Sequence, residues 1–219
     1  LGARRTDRLE AICQEINAAG GQSIPISIDV ADEASTIAAY DAIAAQFGPV
    51  DSVLANAGMN AEGAGVDIEI DEFDRLMAIN LRGVMLTVRE GARRMMAAGS
   101  AEREHGRIAI TSSITARHVS PGLAAYSASK AAVIQLGKVL AREWARKGIS
   151  LNMILPGYIK TDLNSEWFDT EAGALHVRSW PRRRLMKDSD LDAITLFLLS
   201  DAARSVTGAE FTIDDGQTL

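Results

Sequence analysis

Short apolar runs alternate with longer stretches of helical periodicity along the whole chain, and that alternation restricts the fold more than any other feature. Residues 23–28, 50–55, 106–112, 149–155 and 210–213 read as strands, being short, apolar and bounded by turn residues. Residues 6–19, 32–47, 71–98, 123–147 and 188–200 read as helices. Thr6 or Asp7 is the expected N-cap of the first helix and Gly20-Gly21 its stop, while Gly48-Pro49 ends the second. Strand and helix in turn at this spacing predict a parallel sheet covered on both faces, doubly wound through right-handed crossovers. No repeat, linker or low-complexity segment divides the 219 residues, so 1–219 is read as a single domain. Residues 160–187 form the longest stretch without a clear strand. In open α/β sheets the loops beyond the strands' carboxyl ends form the ligand crevice, which makes this segment a candidate substrate lid.

Composition narrows the function classes. A net charge of −6 argues against a general nucleic-acid or anionic-membrane binder, although it allows a local basic pocket for a phosphate. No uncharged run approaches the roughly 20 residues of a membrane span, and no secretory signal opens the chain. The expectation is a cytoplasmic protein with neither nucleic-acid nor membrane partners. Cys13, the only cysteine, shares helical spacing with Leu9, Ile12 and Ile16 and is expected to be a packed thiol. No metal site is expected.

The chemistry begins at Tyr126-Ser127-Ala128-Ser129-Lys130. Positions i and i+4 of a helix share a face, so the phenol and the ammonium can point into one site. A free phenol has a pKa near 10, and a neighbouring Lys⁺ favours phenolate and lowers it, which makes the pair a tuned acid/base. Ser113 stands thirteen residues earlier, at the end of the apolar run Ile108-Ala109-Ile110, where a hydroxyl faces the crevice. Ser112 beside it is the better candidate for a structural hydroxyl. Asn56-Ala57-Gly58 closes another strand, and its glycine admits close backbone approach to a ligand. Asn80 lies in the long helix, and Pro156-Gly157-Tyr158-Ile159-Lys160-Thr161 follows the strand at 149–155.

In order and spacing this set resembles the short-chain dehydrogenase/reductase family over essentially the whole chain. The resemblance implies a Rossmann-like domain and an NAD(P)-dependent oxidoreductase that transfers hydride between a nicotinamide and a carbonyl or secondary alcohol. A 3-oxoacyl-type or other ketone reductase is the expected kind. It implies that Tyr126 is the general acid/base and that Ser113 orients and polarises the carbonyl. Lys130 would lower the Tyr126 pKa and hold the nicotinamide ribose, and Asn80 would position a water relaying protons to Lys130. For Asn80 the structural alternative is a helix-surface or helix-kink amide. Asp29 and Val30 match the adenine contacts, unless Asp29 is a simple helix cap. Asn56, Ala57 and Gly58 would lie against the adenosine ribose and diphosphate. Pro156, Gly157, Ile159 and Thr161 would flank the nicotinamide, with Thr161 alternatively capping the next helix. Ala3 takes the usual acidic position of NAD-preferring relatives, and Arg4 and Arg5 follow it. A guanidinium there suits a 2′-phosphate, so NADP(H) is expected over NAD(H). A homodimer or homotetramer built through helices 71–98 and 123–147 is also implied.

Some features depart from the family pattern. Its Thr-Gly-x-x-x-Gly-x-Gly turn, which binds pyrophosphate, is not found in the chain, and Gly63-Ala64-Gly65 does not replace it. The chain starts Leu1-Gly2-Ala3-Arg4-Arg5 without an initiator methionine, and this reads as a strand's tail. About 30–40 further residues are therefore expected before Leu1, one strand–turn–helix unit and most of a strand. Without them the sheet is expected to part between the strands ending at Asp29 and Asn56, and the cofactor cleft to be incomplete. Asp215 stands where an Asp-Gly-Gly ending is usual. Trp167, Phe168 and Trp180 either line an apolar substrate pocket or pack the lid. Arg182, Arg183 and Arg184 read as a solvated or ion-paired patch, with an anionic substrate as the alternative, and His118 reads as a surface histidine. The competing function is a catalytically inactive cofactor-binding or scaffold relative. An epimerase is disfavoured because only 89 residues follow Lys130, and a serine hydrolase because no Gly-x-Ser-x-Gly occurs.

Overall fold

A computed structural model of the chain describes residues 1–161 and 164–219. Its strands all pair in parallel but fall into two ladders. One joins β1 (Gly2–Ala3) to β2 (Ile26–Ser27). The other runs β3 (Ser52–Ala55), β4 (Gly106–Thr111), β5 (Ile149–Pro156), β6 (Glu210–Ile213) in that order. Among the described residues no ladder joins the two sets, so the sheet parts between β2 and β3 in chain order. β2 is shorter than the predicted 23–28, and Pro25, which has no N–H to give a ladder, stands directly before it.

Helices cover both faces of the larger ladder. On one side α4 (Val84–Ala97) and α6 (Ala124–Trp144) press Val88, Met95, Val133 and Ile134 onto Ile108, Ile110, Leu151 and Met153. On the other, α9 (Asp192–Leu198) buries Leu198 against Ala109 and Ile154. β4 and β5 are therefore covered on both sides, which is why they read as continuous apolar runs rather than alternating ones. Gly137 lets α6 lie close to β5, since a Cβ there would stand 2.5 Å from the Met153 sulfur.

Two helix predictions need correction, and the alternative reading of Asp29 as a cap is set aside. Arg5, rather than Thr6 or Asp7, is the N-cap of α1 (Thr6–Ala18), without a side-chain capping bond. Only Arg4 and Arg5 separate β1 from α1, so Thr6 and Asp7 already lie in the first turn. Asp29 does not cap α2 (Glu33–Phe47); Asp32 does, its carboxylate accepting from the Ser35 amide at 2.7 Å. The helix expected over 71–98 is broken into α3 (Ile70–Met77), a π-turn over Ala78–Gly83, and α4. The candidate lid holds α7 (Ser165–Phe168) and α8 (Glu171–Ser179), closed by an isolated bridge between Ile159 and Met186. Residues 162 and 163 of that segment lie outside the described residues. No helix among the described residues is long and apolar enough to cross a membrane, and Cys13 is buried in α1.

Candidate active site

The carboxyl ends of β3, β4 and β5 converge on one region, and α6 crosses it. Ser112 Oγ donates to the Lys130 carbonyl at 2.8 Å, and Lys130 Nζ donates back to the Thr111 carbonyl at 2.9 Å. This reciprocal pair pins α6 to the end of β4, and gives Ser112 the structural role expected of it. Lys130 is only 4% exposed, and its Nζ lies 5.6 Å from the centre of the Tyr126 ring. A Cβ on Gly58 would lie 3.5 Å from both Lys130 Nζ and Asn80 Oδ1, so the Asn56-Ala57-Gly58 turn passes directly over both side chains.

Asn80 explains the π-turn. It is fully buried; its Oδ1 accepts from the Met59 amide at 2.8 Å, and its Nδ2 donates to the Met59 carbonyl and Ser129 Oγ at 2.9 and 3.1 Å. A buried amide left unpaired costs about 1–3 kcal/mol, so three satisfied bonds are worth a local departure from regular helix. Ser129 passes the link on, its hydroxyl donating to the Tyr126 carbonyl at 2.7 Å. The clamp thus joins the loop after β3 to the turn that carries Tyr126.

Ser113 caps a short 3-10 turn, Ile114–Ala116, and its Oγ accepts from the Thr115 amide at 3.2 Å and the Thr115 hydroxyl at 3.0 Å. Both contacts use Ser113 as acceptor, which leaves its own O–H to donate. Burial pushes the Tyr126 phenol up from 10.0, a hydrogen bond with Ser113 pulls it back, and Tyr158 pushes it up again. Burial also lowers Lys130, from 10.5 to about 8. The expected depression of Tyr126 by Lys130 is therefore corrected for this state: burial raises the phenol, the opposing pull comes from Ser113 rather than from Lys130, and burial lowers Lys130 itself.

The outer contacts lie around the same strand ends. Arg4 and Arg5 are exposed just beyond β1, and among the described residues neither side chain has an ion-pair partner. Asp29 is exposed after β2, its Oδ1 accepting from the Ala31 amide at 3.0 Å. Val30 packs on the end of the π-turn, where a Cβ on Gly83 would come within 2.8 Å of its Cγ2. A crevice of about 360 Å³ is lined by Leu54, Asn56, Thr111, Ile154, Pro156 and residues of α9. Ala57 and Gly58, which follow Asn56, are exposed, and Ile159 is half-buried. Thr161 does not cap α7; Asn164 does, and its Oδ1 accepts from the Thr161 amide at 2.8 Å.

The C-terminal segment braces this turn. Gly157 donates to the Ile213 carbonyl at 2.8 Å, and Gln217 Oε1 accepts from the Tyr158 amide at 2.6 Å. Asp215 takes a left-handed φ of 54°, a conformation that a short polar side chain tolerates better than most. Its carboxylate meets Arg182 at 2.8 Å and Arg184 at 2.6 Å, and the Arg184 hydrogen bond in particular holds it below the usual carboxylate range. Those two arginines are ion-paired, as the first reading of the patch had it. His118 is exposed and contacts the Thr218 carbonyl at 3.0 Å. Phe168 and Trp180 are buried and pack the lid around Tyr158, whereas Trp167 is 41% exposed. Sequence reasoning missed Thr115, Ser129, Tyr158 and Gln217. Thr115 carries a local signal, a hydroxyl two residues past Ser113 at a turn; Gln217 has none, since its partner is 59 residues away. Among the described residues no group of three His, Cys, Asp or Glu side chains is placed to hold a metal.

Comparison with known proteins places this geometry. The profile of the family described as "Enoyl-(Acyl carrier protein) reductase" matches residues 2–218. D-threitol dehydrogenase of Mycolicibacterium smegmatis is 33% identical over 96% of this chain and 79% of its own length. A 3-oxoacyl-(acyl carrier protein) reductase of Staphylococcus aureus is 32% identical over 97% of this chain and 84% of its own. A short-chain type dehydrogenase/reductase from Mycobacterium marinum superposes with a TM-score of 0.92 at 32% identity, over 99% of this chain and 84% of that one. Gluconate 5-dehydrogenase from Burkholderia cenocepacia, solved with NADP and tartrate, gives a TM-score of 0.92 at 30% identity, over 100% of this chain and 84% of that one.

The Lys130 geometry makes a direct prediction. Because the folded protein binds this proton less tightly than the unfolded chain, burying the ammonium opposes folding fully below pH about 8, and that penalty fades as pH rises toward 10.5. Titration of the Lys130 Nζ resonance in the ligand-free protein should give a midpoint near 8. A midpoint at the free-lysine value would show that the amine is not desolvated.

Proposed function

The chain belongs to the short-chain dehydrogenase/reductase family and is an oxidoreductase, and from that premise we propose that its 219 residues form one dinucleotide-binding domain that moves hydride between NADP(H) and a small secondary alcohol or ketone. The observation that supports this best is the meeting of Ser113, Tyr126, Lys130 and Asn80 at the end of β4, tied together through Ser112, Thr111 and Ser129. Nothing favours the inactive alternative.

The residues present suit the nicotinamide and adenosine ends of a dinucleotide, while the glycine turn that would bind its pyrophosphate is not among them. The crevice lies at strand carboxyl ends, Gly58 passes over Lys130 Nζ, and among the described residues that Nζ makes one hydrogen bond although it has three donors. Lys130 would hold the nicotinamide ribose, with Pro156, Gly157, Ile159 and Thr161 beside the nicotinamide ring. Asn56, Ala57 and Gly58 would meet the adenosine ribose and diphosphate, and Asp29 and Val30 the adenine. When bound, the nicotinamide supplies or takes up the hydride. In the alcohol-to-ketone direction the carbon loses a hydride and its oxygen loses a proton, which the Tyr126 phenolate accepts. Ser113 turns to that oxygen the O–H that otherwise meets Tyr126, and Thr115 keeps the hydroxyl turned the right way. Lys130 as a cation offsets the burial that opposes phenolate formation at Tyr126. Asn80 is assigned the relay of protons toward Lys130 through a held water, with its amide fixing the turn. The relatives' names span a tetritol, a sugar acid and a 3-oxoacyl chain, so the substrate class rests at a secondary alcohol or its ketone. Arg4, with Arg5 beside it, is assigned to a 2′-phosphate. We place the enzyme in the cytoplasm as a homodimer or homotetramer built through α3, α4 and α6.

Tyr126→Phe should lower turnover by about 10²–10⁴ and change cofactor affinity no more than a few-fold, because the ring still packs but passes no proton. Steady-state rates and a cofactor-binding titration check this, and undiminished turnover would refute the proton role. Arg4→Ala should weaken NADPH by about ten- to a hundredfold, the size of a charged hydrogen bond, and leave NADH almost unchanged. Equal affinity of the parent for both cofactors would instead mark Arg4 as a solvated helix-start residue.

A further inference from the structure

Ser113 takes its direction from a turn of three residues. It caps Ile114–Ala116, its carbonyl accepts from the Ala116 amide at 3.1 Å, and the amides of Arg117 and His118 return to the Ile114 carbonyl at 2.9 and 2.8 Å. Ile114 and Thr115 are buried and seat one side of this turn. The other side leads at once into an open loop, where Val119 is 94% exposed. The side chain of Arg117, at the boundary between turn and loop, is what ties that side down.

Arg117 reaches across to β6. Its Nε and Nη2 donate to the two carboxylate oxygens of Glu210 at 3.0 and 2.8 Å, and Lys138 Nζ of α6 meets Glu210 Oε1 at 2.5 Å. Glu210 is itself fixed in place, because it stands opposite the buried Met153 in the ladder of β5 and β6. A lone surface ion pair contributes little, but a bidentate guanidinium–carboxylate pair is directional, and a second cation makes it a network. The Arg117 hydrogen bonds above all hold the Glu210 carboxyl down at about 2, so the anchor keeps its charge at any working pH. His118 adds a second tie, its Nε2 meeting the Thr218 carbonyl at 3.0 Å. Two successive side chains leaving the Ser113 turn therefore both end on the C-terminal segment, 93 and 100 residues further along the chain.

We propose that Glu210 is a positioning residue acting through Arg117, which holds the turn after β4 so that the Ser113 hydroxyl keeps its direction toward the reacting oxygen. This rests on the oxidoreductase reading above. Glu210→Gln keeps the shape and removes the charge, leaving Arg117 and Lys138 without a shared anion. With NADP⁺ and a secondary alcohol that the parent oxidises, kcat should fall about tenfold in Glu210→Gln while both KM values stay within about twofold, as for a misaimed group rather than lost binding. In a Ser113→Ala background the same substitution should cost less than about twofold, because no hydroxyl is left to aim. Undiminished kcat, or an equal loss in both backgrounds, would overturn the proposal. Hydrogen exchange on the ligand-free protein reads the turn without turnover. The Thr115, Ala116 and Arg117 amides should exchange at least about tenfold faster in Glu210→Gln, with those of β5 unchanged. Unchanged exchange in the turn, or faster exchange throughout β5 as well, would equally overturn it. A parent protein that oxidises no secondary alcohol marks failure of the oxidoreductase reading instead, and the exchange rates alone then decide whether Glu210 holds the turn.

Discussion

Two hydrogen bonds crossing the same short gap in opposite directions, Ser112 Oγ to the Lys130 carbonyl and Lys130 Nζ to the Thr111 carbonyl, hold the end of β4 to α6. Everything chemical in the protein is referenced to that junction. Ser113 is the next residue along from one partner, and Tyr126 lies one helical turn before the other. Apolar packing of Val133 and Ile134 against β4 and β5 supplies the bulk attraction, but it has no direction along the helix axis. The polar pair sets the register of Ser113 and Tyr126 along that junction. The Asn80 clamp adds the third element, tying the loop after β3 to α6.

The cost of that arrangement appears in the ionisable groups. A buried lysine with a carbonyl as its hydrogen-bond partner is drawn toward neutrality, and a buried phenol resists losing its proton. The resting site is therefore poised against the charges its proposed chemistry requires. Buried active-site groups shifted in this way are where function is expected to concentrate.

The spacing of Ser113, Tyr126 and Lys130 was legible in the sequence because helix and strand periodicity fix what faces the crevice. So was the parting of the sheet into two ladders, between β2 and β3 in chain order. The π-turn at Asn80 was not, because one extra residue in a turn barely disturbs an apolar pattern, and its cause, Met59, lies 21 residues away. The sign of the Tyr126 shift was misjudged for a related reason: the lysine is written in the sequence, but the depth of burial is a property of the packed chain. Asp215 shows the converse. Its departure from glycine looked like a defect in a turn, yet it accepts the left-handed backbone and gathers Arg182 and Arg184, tying lid to C-terminus.

Under the proposed function this junction passes hydride and proton separately, the first to a nicotinamide and the second to Tyr126. Oxidation of a secondary alcohol deuterated at the carbinol carbon, with NADP⁺ in ordinary water, tests it most directly. Mass spectrometry of the reduced cofactor should find one deuterium per molecule of ketone formed, because the carbon-bound hydrogen never meets solvent. Ketone formed with unlabelled cofactor, or with the deuterium released to water, would contradict direct hydride transfer and with it the role given to every residue of the site.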